Sequence, residues 1–315
     1  MTYDLTTIGE GQIRLTCHKG ERLASATSLR MTAACSEGNV SGLLAQLGRK
    51  TAWCTVLPKG DLANRVLSEF RSAGVDLSNV VLRPDGRVAL YFLESGQYPL
   101  PSKVTYDRLH TPFREIQVKD VNWDSMLDTR LVFVTGITAA LTEHTAEVLR
   151  YFVDKAHERG IKIALDVNYR SLLWDGDQAR KVLEPMARKS SVVFCSRRDG
   201  ESVFGITGKG EKVCRDLREM LEVPIVVSTD QLDGTYVSTA EGETVFEVER
   251  VPVVDRPGAG DSFVAGTIHG YLDGDILAGV RIGMRTAKLA LTHHGDLTYV
   301  NPSELVAANT SDIVR

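Results

Sequence analysis

Gly258-Ala259-Gly260-Asp261 is the stretch of this sequence richest in potential chemistry. A Gly-Ala-Gly turn leads into a helical pattern carried by Phe263, Val264, Thr267 and Tyr271. The first N–H groups of such a helix have no internal partner, and the helix dipole adds positive potential there, so the turn suits an anion. The next residue, Asp261, is a carboxylate, and it allows two readings. It can be a dipole partner that merely stabilises the helix start. Alternatively it faces an attacking hydroxyl and takes its proton while the turn stabilises charge on a phosphoryl group in transfer.

Two other phosphate-binding motifs are excluded by spacing. The one Gly-Lys pair, Gly208-Lys209, is followed by Gly210 rather than Ser or Thr, so there is no P-loop. The dinucleotide fingerprint needs a third glycine where Arg14 follows Gly9 and Gly11, or where Phe263 follows Gly258 and Gly260. Bulk properties narrow the partners further. The chain has 315 residues, 43% hydrophobic and 25% charged, with a formal net charge of −4. It carries no dense basic run, so small molecules rather than nucleic acid are the expected partners. Cys17, Cys35, Cys54, Cys195 and Cys214 are scattered singly, as free thiols of a reducing cytoplasm are. The N-terminal MTYDLTTIGE does not read as a signal peptide, and no apolar run approaches the ~20 residues of a membrane span. A cytoplasmic protein with no membrane partner is expected. His293 and His294 are adjacent and would point in different directions, so they are read as helix-terminal residues rather than metal ligands.

The elements that must position the turn follow from periodicity. Residues 131–136, 161–167, 191–196 and 224–229 are brief β-branched, apolar runs, and each predicts a buried strand. Glu143 to Arg159 and Asp177 to Lys189 have helical spacing between them. This alternation predicts an α/β fold with a mostly parallel central sheet between two helical layers. Segments at about 12–33 and 87–113 break the alternation with short strand-like stretches, as a β-sheet lid over a site would. No linker divides residues 1–315, so one domain is expected.

DRPGAGDSF resembles the signature of the ribokinase-like (PfkB) carbohydrate kinases, and seven further segments stand in the family's order: IGEGQIRL (8–15), SEGNV (36–40), ALYFLESG (89–96), PSKVTYDR (101–108), VTGITAAL (134–141), DVNYRSLLW (166–174) and THHGD (292–296). The resemblance covers nearly the whole chain and is closest to the 2-keto-3-deoxygluconate kinase branch. It implies a ribokinase-like three-layer sandwich and transfer of the γ-phosphoryl of ATP, with Mg²⁺, to a primary hydroxyl of a 2-keto-3-deoxy sugar acid. A monovalent-cation requirement stays open, and pairing of copies through lid edges is consistent with it. A kinase for a neutral sugar such as fructose, or a catalytically silent sugar-acid or nucleotide binding protein, is the rival reading.

Such a substrate needs a base at one end and a cation at the other. Asp261 is the expected base, with Gly258, Ala259 and Gly260 as the anion hole. Arg108 and Arg170 are the expected carboxylate clamps, because a guanidinium makes a two-pronged bond to a carboxylate. By resemblance Asn39 hydrogen-bonds sugar hydroxyls, although a capping role is also open. Tyr91 covers the substrate and donates its hydroxyl, Tyr106 accompanies Arg108, and Asp296 contacts the substrate or closes the site. At the nucleotide end the expected residues are Ser196, Asp199, Ser228 and Gly234, with Asp199 reaching the metal through water.

The chain also departs from the family pattern. Ala34-Cys35 stands where paired glycines are usual, which predicts a narrower sugar pocket. Ser196, Arg197 and Arg198 replace an Asn and acids, so the two cations are expected near nucleotide phosphates. The stretch 227–237 keeps only Gly234 of a Gly-rich nucleotide loop. Pro257 has no N–H to give the turn.

Overall fold

Alternate residues of the central strands go to two different cores. In a computed structural model of the chain, which describes residues 2–96 and 99–305, Leu131 and Phe133 join one core while Val132 and Val134 join the other. Val192 and Phe194 against Val193 and Cys195 repeat the division. Side chains of a strand alternate faces, so a strand apolar at every position is buried on both. Helices therefore cover both sides of the sheet.

The strands in chain order are β1 (Tyr3–Ile8), β2 (Gln12–Cys17), β3 (Leu29–Ala34), β4 (Thr51–Cys54), β5 (Val56–Pro58), β6 (Val81–Arg83) and β7 (Ala89–Glu94), then β8 (Lys103–Asp107), β9 (Thr129–Thr135), β10 (Lys162–Asp166), β11 (Val192–Ser196), β12 (Ile225–Thr229), β13 (Thr235–Thr239) and β14 (Gly242–Phe246). The large sheet has the order β14-β13-β12-β11-β10-β9-β1-β4. It is parallel from β12 to β4, and β13 and β14 add an antiparallel edge. This is the α/β sandwich that the strand–helix alternation predicts, and the expected strands fall within a residue or two of β9, β10, β11 and β12. The expected helices are Glu143–Glu158 and Gly176–Ala187.

The two interrupting segments contribute to a separate four-stranded sheet of order β3-β2-β7-β8, and β5 and β6 form a small third one. In β7, Ala89, Tyr91 and Leu93 are buried while Leu90, Phe92 and Glu94 are less so, which makes one face of this lid sheet an inner face. Gln97 and Tyr98, inside the second lid segment, and residues 306–315 of the expected domain lie outside the described residues. All five cysteines are buried and unpaired, and among the described residues no helix is long and apolar enough to cross a membrane.

Candidate active site

The carboxyl ends of β1, β9, β10 and β11 deliver Glu10, Thr135, Asp166 and Ser196 to one edge of the large sheet. Parallel α/β sheets bind ligands outside that edge. The helix Ala259–Leu272 starts there too, with Gly258 as its N-cap at φ 86°. A Cβ on Gly258 would drive into the backbone carbonyl of Asp296, so both the left-handed backbone and the close approach require glycine. Gly260 faces open space, with nothing within 4 Å of a Cβ placed there. The Ala259 N–H makes a long bond of 3.3 Å to the Arg256 carbonyl and Ser262 N–H bonds the Gly258 carbonyl, while among the described residues no hydrogen bond engages the N–H of Gly260 or Asp261. The two most available donors of the turn are therefore Gly260 and Asp261, with Ala259 partly committed to the turn itself.

Asp261 is held from the start of another helix, Ser36–Gln46. Its Oδ1 accepts from the Ser36 hydroxyl and its Oδ2 from the Asn39 amide, each at 2.7 Å. Burial pushes its carboxyl pKa up to about 6 against the opposing pull of those two hydrogen bonds, and the nearby Asp296 charge adds to the rise. A carboxyl so tuned is ionised at neutral pH yet basic enough to take a proton.

Asn39 is not the cap. Cys35 is, and its Sγ accepts from the Gly38 N–H at 3.3 Å. The Asn39 Nδ2 is given to Asp261, and its buried Oδ1 has no partner among the described residues. The expected narrowing of the pocket by Ala34-Cys35 is not seen either. Cys35 turns its sulfur inward against Glu37 (3.3 Å to Oε2), in the space that a side chain on Gly9 would need, and Ala34 packs with Tyr91 and Leu93. Glu37, 1% exposed, also accepts from Thr135 at 2.6 Å and so ties the helix start to the end of β9.

The lid residues have partners within the chain. Arg108 gives its Nε and Nη2 to Glu10 Oε2 at 2.9 and 2.6 Å, and Thr111 donates to the other Glu10 oxygen. The buried Arg108 Nη1 has no partner among the described residues. Tyr91 donates its hydroxyl to Asp296 Oδ2 at 2.6 Å. Asp296 is fully engaged, because its Oδ1 accepts from Arg14 at 2.6 Å. It therefore closes lid against body. Tyr106 lies between, its ring 5.4 Å from the Arg108 guanidinium carbon and 6.2 Å from the Tyr91 ring. Arg170 is half-buried, donates to the Tyr169 carbonyl at 3.0 Å and has no ion-pair partner among the described residues. Its charge nonetheless favours the ionised forms of Asp166, Asp199 and Asp261, so it stands among those three carboxylates.

At the expected nucleotide end, Ser196 caps the helix Arg197–Phe204 by accepting from the Asp199 N–H at 3.1 Å. Burial raises the Asp199 carboxyl, with Arg170 opposing. Asp166 is pushed up to about 7 by burial, opposed by the Asn168 amide at 2.9 Å and reinforced by the charges of Asp199 and Asp261. Among the described residues no three His, Cys, Asp or Glu side chains are close enough to share a metal ion. Asp199 does not belong to a preformed protein cage. Ser228 is 1% exposed inside β12, and Gly234 is explained by its φ of 150° and a Cβ that would meet the Tyr236 hydroxyl at 2.7 Å. Arg197 is spent on Asp230 (2.8 Å) and Glu201 (3.2 Å), so only Arg198 of the pair is exposed for a phosphate. His293 and His294 lie in the turn after the helix Ile276–Ala290, and His294 is 3.8 Å from Asp255.

Five residues of this site escaped the sequence reading: Glu10, Arg14, Ser36, Asp166 and Asp255. Asp166 had a signal, being the acid that ends a predicted strand in DVNYR. The others are polar residues whose partners lie far away in sequence.

Residues 3–303 match the pfkB family of carbohydrate kinases. The chain is 34% identical to a 2-dehydro-3-deoxygalactonokinase of Haloferax volcanii, covering 97% of this chain and 96% of that one. It is 28% identical to a 2-dehydro-3-deoxygluconokinase of Bacillus subtilis, over 87% and 85%. A crystal structure of a 2-dehydro-3-deoxygluconokinase from Thermotoga maritima superposes with a TM-score of 0.90 at 28% identity, covering 97% of this chain and 98% of that one. The chain belongs to the pfkB family of carbohydrate kinases, as the DRPGAGDSF turn and its companion segments implied.

Proposed function

We propose that this kinase transfers the γ-phosphoryl group of ATP to the primary hydroxyl of a 2-keto-3-deoxy sugar acid, with 2-keto-3-deoxygluconate and its galactonate epimer as the candidate substrates. The observation that carries the reading is the carboxylate of Asp261, oriented by Ser36 and Asn39 beside the two uncommitted N–H groups of a helix start. The substrate hydroxyl gives its proton to Asp261 as its oxygen attacks the γ-phosphorus. The bond to the β-phosphate oxygen breaks, and ADP leaves with the electron pair. The N–H groups of Gly260 and Asp261 stabilise the charge on the phosphoryl oxygens in transit. The carboxylate of the substrate is bound by Arg170 and by the free Nη1 of Arg108, which Glu10 holds in place.

A magnesium ion fits the residues present. Asp166 and Asp199 are acids whose ionised forms are disfavoured by burial, and a nearby cation, reached through water, would relieve both. When bound with ATP it supplies shielding of phosphate charge. Asp199 and Asp166 are the residues that would hold it, and Arg198 is the cation left for the nucleotide. The exposed edges β3 and β8 of the lid sheet are where copies would pair, a point that sedimentation checks directly.

ADP release is the decisive assay, run with ATP and Mg²⁺ over 2-keto-3-deoxygluconate, its galactonate epimer, gluconate, fructose and ribose. Turnover confined to the keto-deoxy acids is expected, and Asp261→Asn should lower it by roughly 10²–10⁴ while sparing sugar binding. Turnover with neutral sugars alone would remove the substrate assignment. An Asp261→Asn variant of wild-type activity would remove the base.

A further inference from the structure

Arg14 is a deeply buried cation that the proposed mechanism does not use. It projects from β2, in the middle of the lid sheet, and is 1% exposed. Its Nε donates to Thr16 of the same strand at 2.7 Å, which fixes the plane of the guanidinium. Its Nη1 reaches Asp296 Oδ1 at 2.6 Å and its Nη2 reaches Asp255 Oδ2 at 2.5 Å. These two acids belong to the body of the protein and flank the catalytic turn. Asp255 lies three residues before Gly258, and its carboxylate also accepts from the N–H of Arg256 (3.0 Å) and of Gly295 (3.2 Å). Asp296 presses its backbone carbonyl against Gly258 and gives its second carboxylate oxygen to Tyr91 of β7.

One guanidinium from the lid thus fastens both segments that shape the phosphoryl-binding turn. Stability alone does not call for such an arrangement, because buried charged triads are often replaced by apolar groups without loss. What a planar fork gives is fixed geometry between three pieces of chain. Tyr91 and Tyr106 stand on the same lid sheet and Arg108 directly follows its strand β8, so whatever seats the lid over a substrate also seats Arg14.

We propose that Arg14 is a positioning residue which makes docking of the lid sheet and correct shaping of the Gly258–Asp261 turn a single event. It touches neither the sugar nor the phosphates, and acts through Asp255 and Asp296. The proposal rests on the reading of Asp261 and its turn as the catalytic centre. It predicts that loss of the fork harms the chemical step far more than sugar binding, since a misplacement of about 1 Å at a reacting centre costs on the order of 10²-fold in rate.

The test uses Arg14→Lys, which keeps the charge but cannot span both acids, and Arg14→Ala, which opens a guanidinium-sized gap between them. Both are checked for folding by circular dichroism and melting. The expected result for Arg14→Lys is a kcat about 100-fold lower with KM for the sugar acid within about 3-fold of wild type. For Arg14→Ala it is partial, saturable recovery of kcat by added guanidinium at non-denaturing concentration, with no recovery by sodium at equal ionic strength. Should Arg14→Ala fail to fold, the lysine variant decides. Hydrogen exchange is measured on the same proteins without substrate. Amides of residues 253–264 and of the lid strands should exchange about tenfold faster in Arg14→Lys, with the helix Glu143–Glu158 unchanged. A wild-type protein that phosphorylates no sugar acid would defeat the proposed function, and the exchange result would then still decide this inference. Unaltered exchange at 253–264, or kcat equal to wild type in folded Arg14→Lys, would overturn it.

Discussion

Replacing Ser36 by alanine should move the acid limb of the pH–rate profile. The Ser36 hydroxyl donates to Asp261 Oδ1 at 2.7 Å, and Asn39 holds the other oxygen at the same distance. A hydrogen bond to an ionised carboxylate contributes about 1.5–3 kcal/mol, and 1.36 kcal/mol corresponds to about one unit of acidity. Both bonds favour the charged form, so deleting one raises the Asp261 pKa from about 6 to roughly 7–8. The remaining neighbours are unchanged: Asp296 pushes upward and Arg170 pulls downward. Asp166 is linked to Ser36 through Asn168, at 3.4 Å from the Ser36 hydroxyl, so it shares the hydrogen-bond network of the base. The measured limb therefore belongs to the coupled group. The assay is kcat/KM for the sugar acid from pH 5 to 9. Near pH 6.5 the variant should be roughly tenfold slower than wild type, because about a tenth of its base is ionised at an acidity near 7.5. By pH 9 the two enzymes should converge. A uniform loss at every pH, with the limb unmoved, would show that Ser36 does not tune the base and would refute the argument.

Gly258→Ala should lower both stability and kcat. The residue needs φ 86° and its Cβ would clash with the Asp296 carbonyl, a backbone strain of about 1–3 kcal/mol before the clash is counted; a variant with wild-type turnover would contradict the turn's assigned geometry. Asp261→Asn should melt at a higher temperature than wild type at pH 8. The folded carboxyl titrates at about 6 against a reference of 3.8, so the ionised form weakens the fold above that range by up to about 3 kcal/mol. That penalty is removed as pH falls through 6 towards 3.8, and a melting advantage that persists at pH 3.5 would show a different origin. Arg170→Ala should raise KM for the sugar acid about 10–100-fold, the loss of one charge-assisted pair. An unchanged KM would remove Arg170 from carboxylate recognition.

The strands β9 to β12, the helices between them and the lid segments were legible because burial leaves a period in the chain. A residue's tendency to face the core is written locally, as a continuous apolar run in β9 and at helical spacing in Glu143–Glu158. The turn at Gly258 and the carboxylate proposed as base, Asp261, were legible for a related reason, since a left-handed glycine and an acid in a first helical turn have local causes. Pairing between distant polar side chains has no such period. Arg14 meets Asp296 across 282 residues, Ser36 meets Asp261 across 225 and Arg108 meets Glu10 across 98. The sequence by itself determined the sheet, the Gly-Ala-Gly turn and its carboxylate. Only the tertiary structure decided that Arg108 belongs to Glu10, that Tyr91 and Asp296 belong to each other, and that Arg14 joins the lid to the turn. Which charges neutralise one another depends on which strand ends and loops meet in space, and that is a property of the assembled layers.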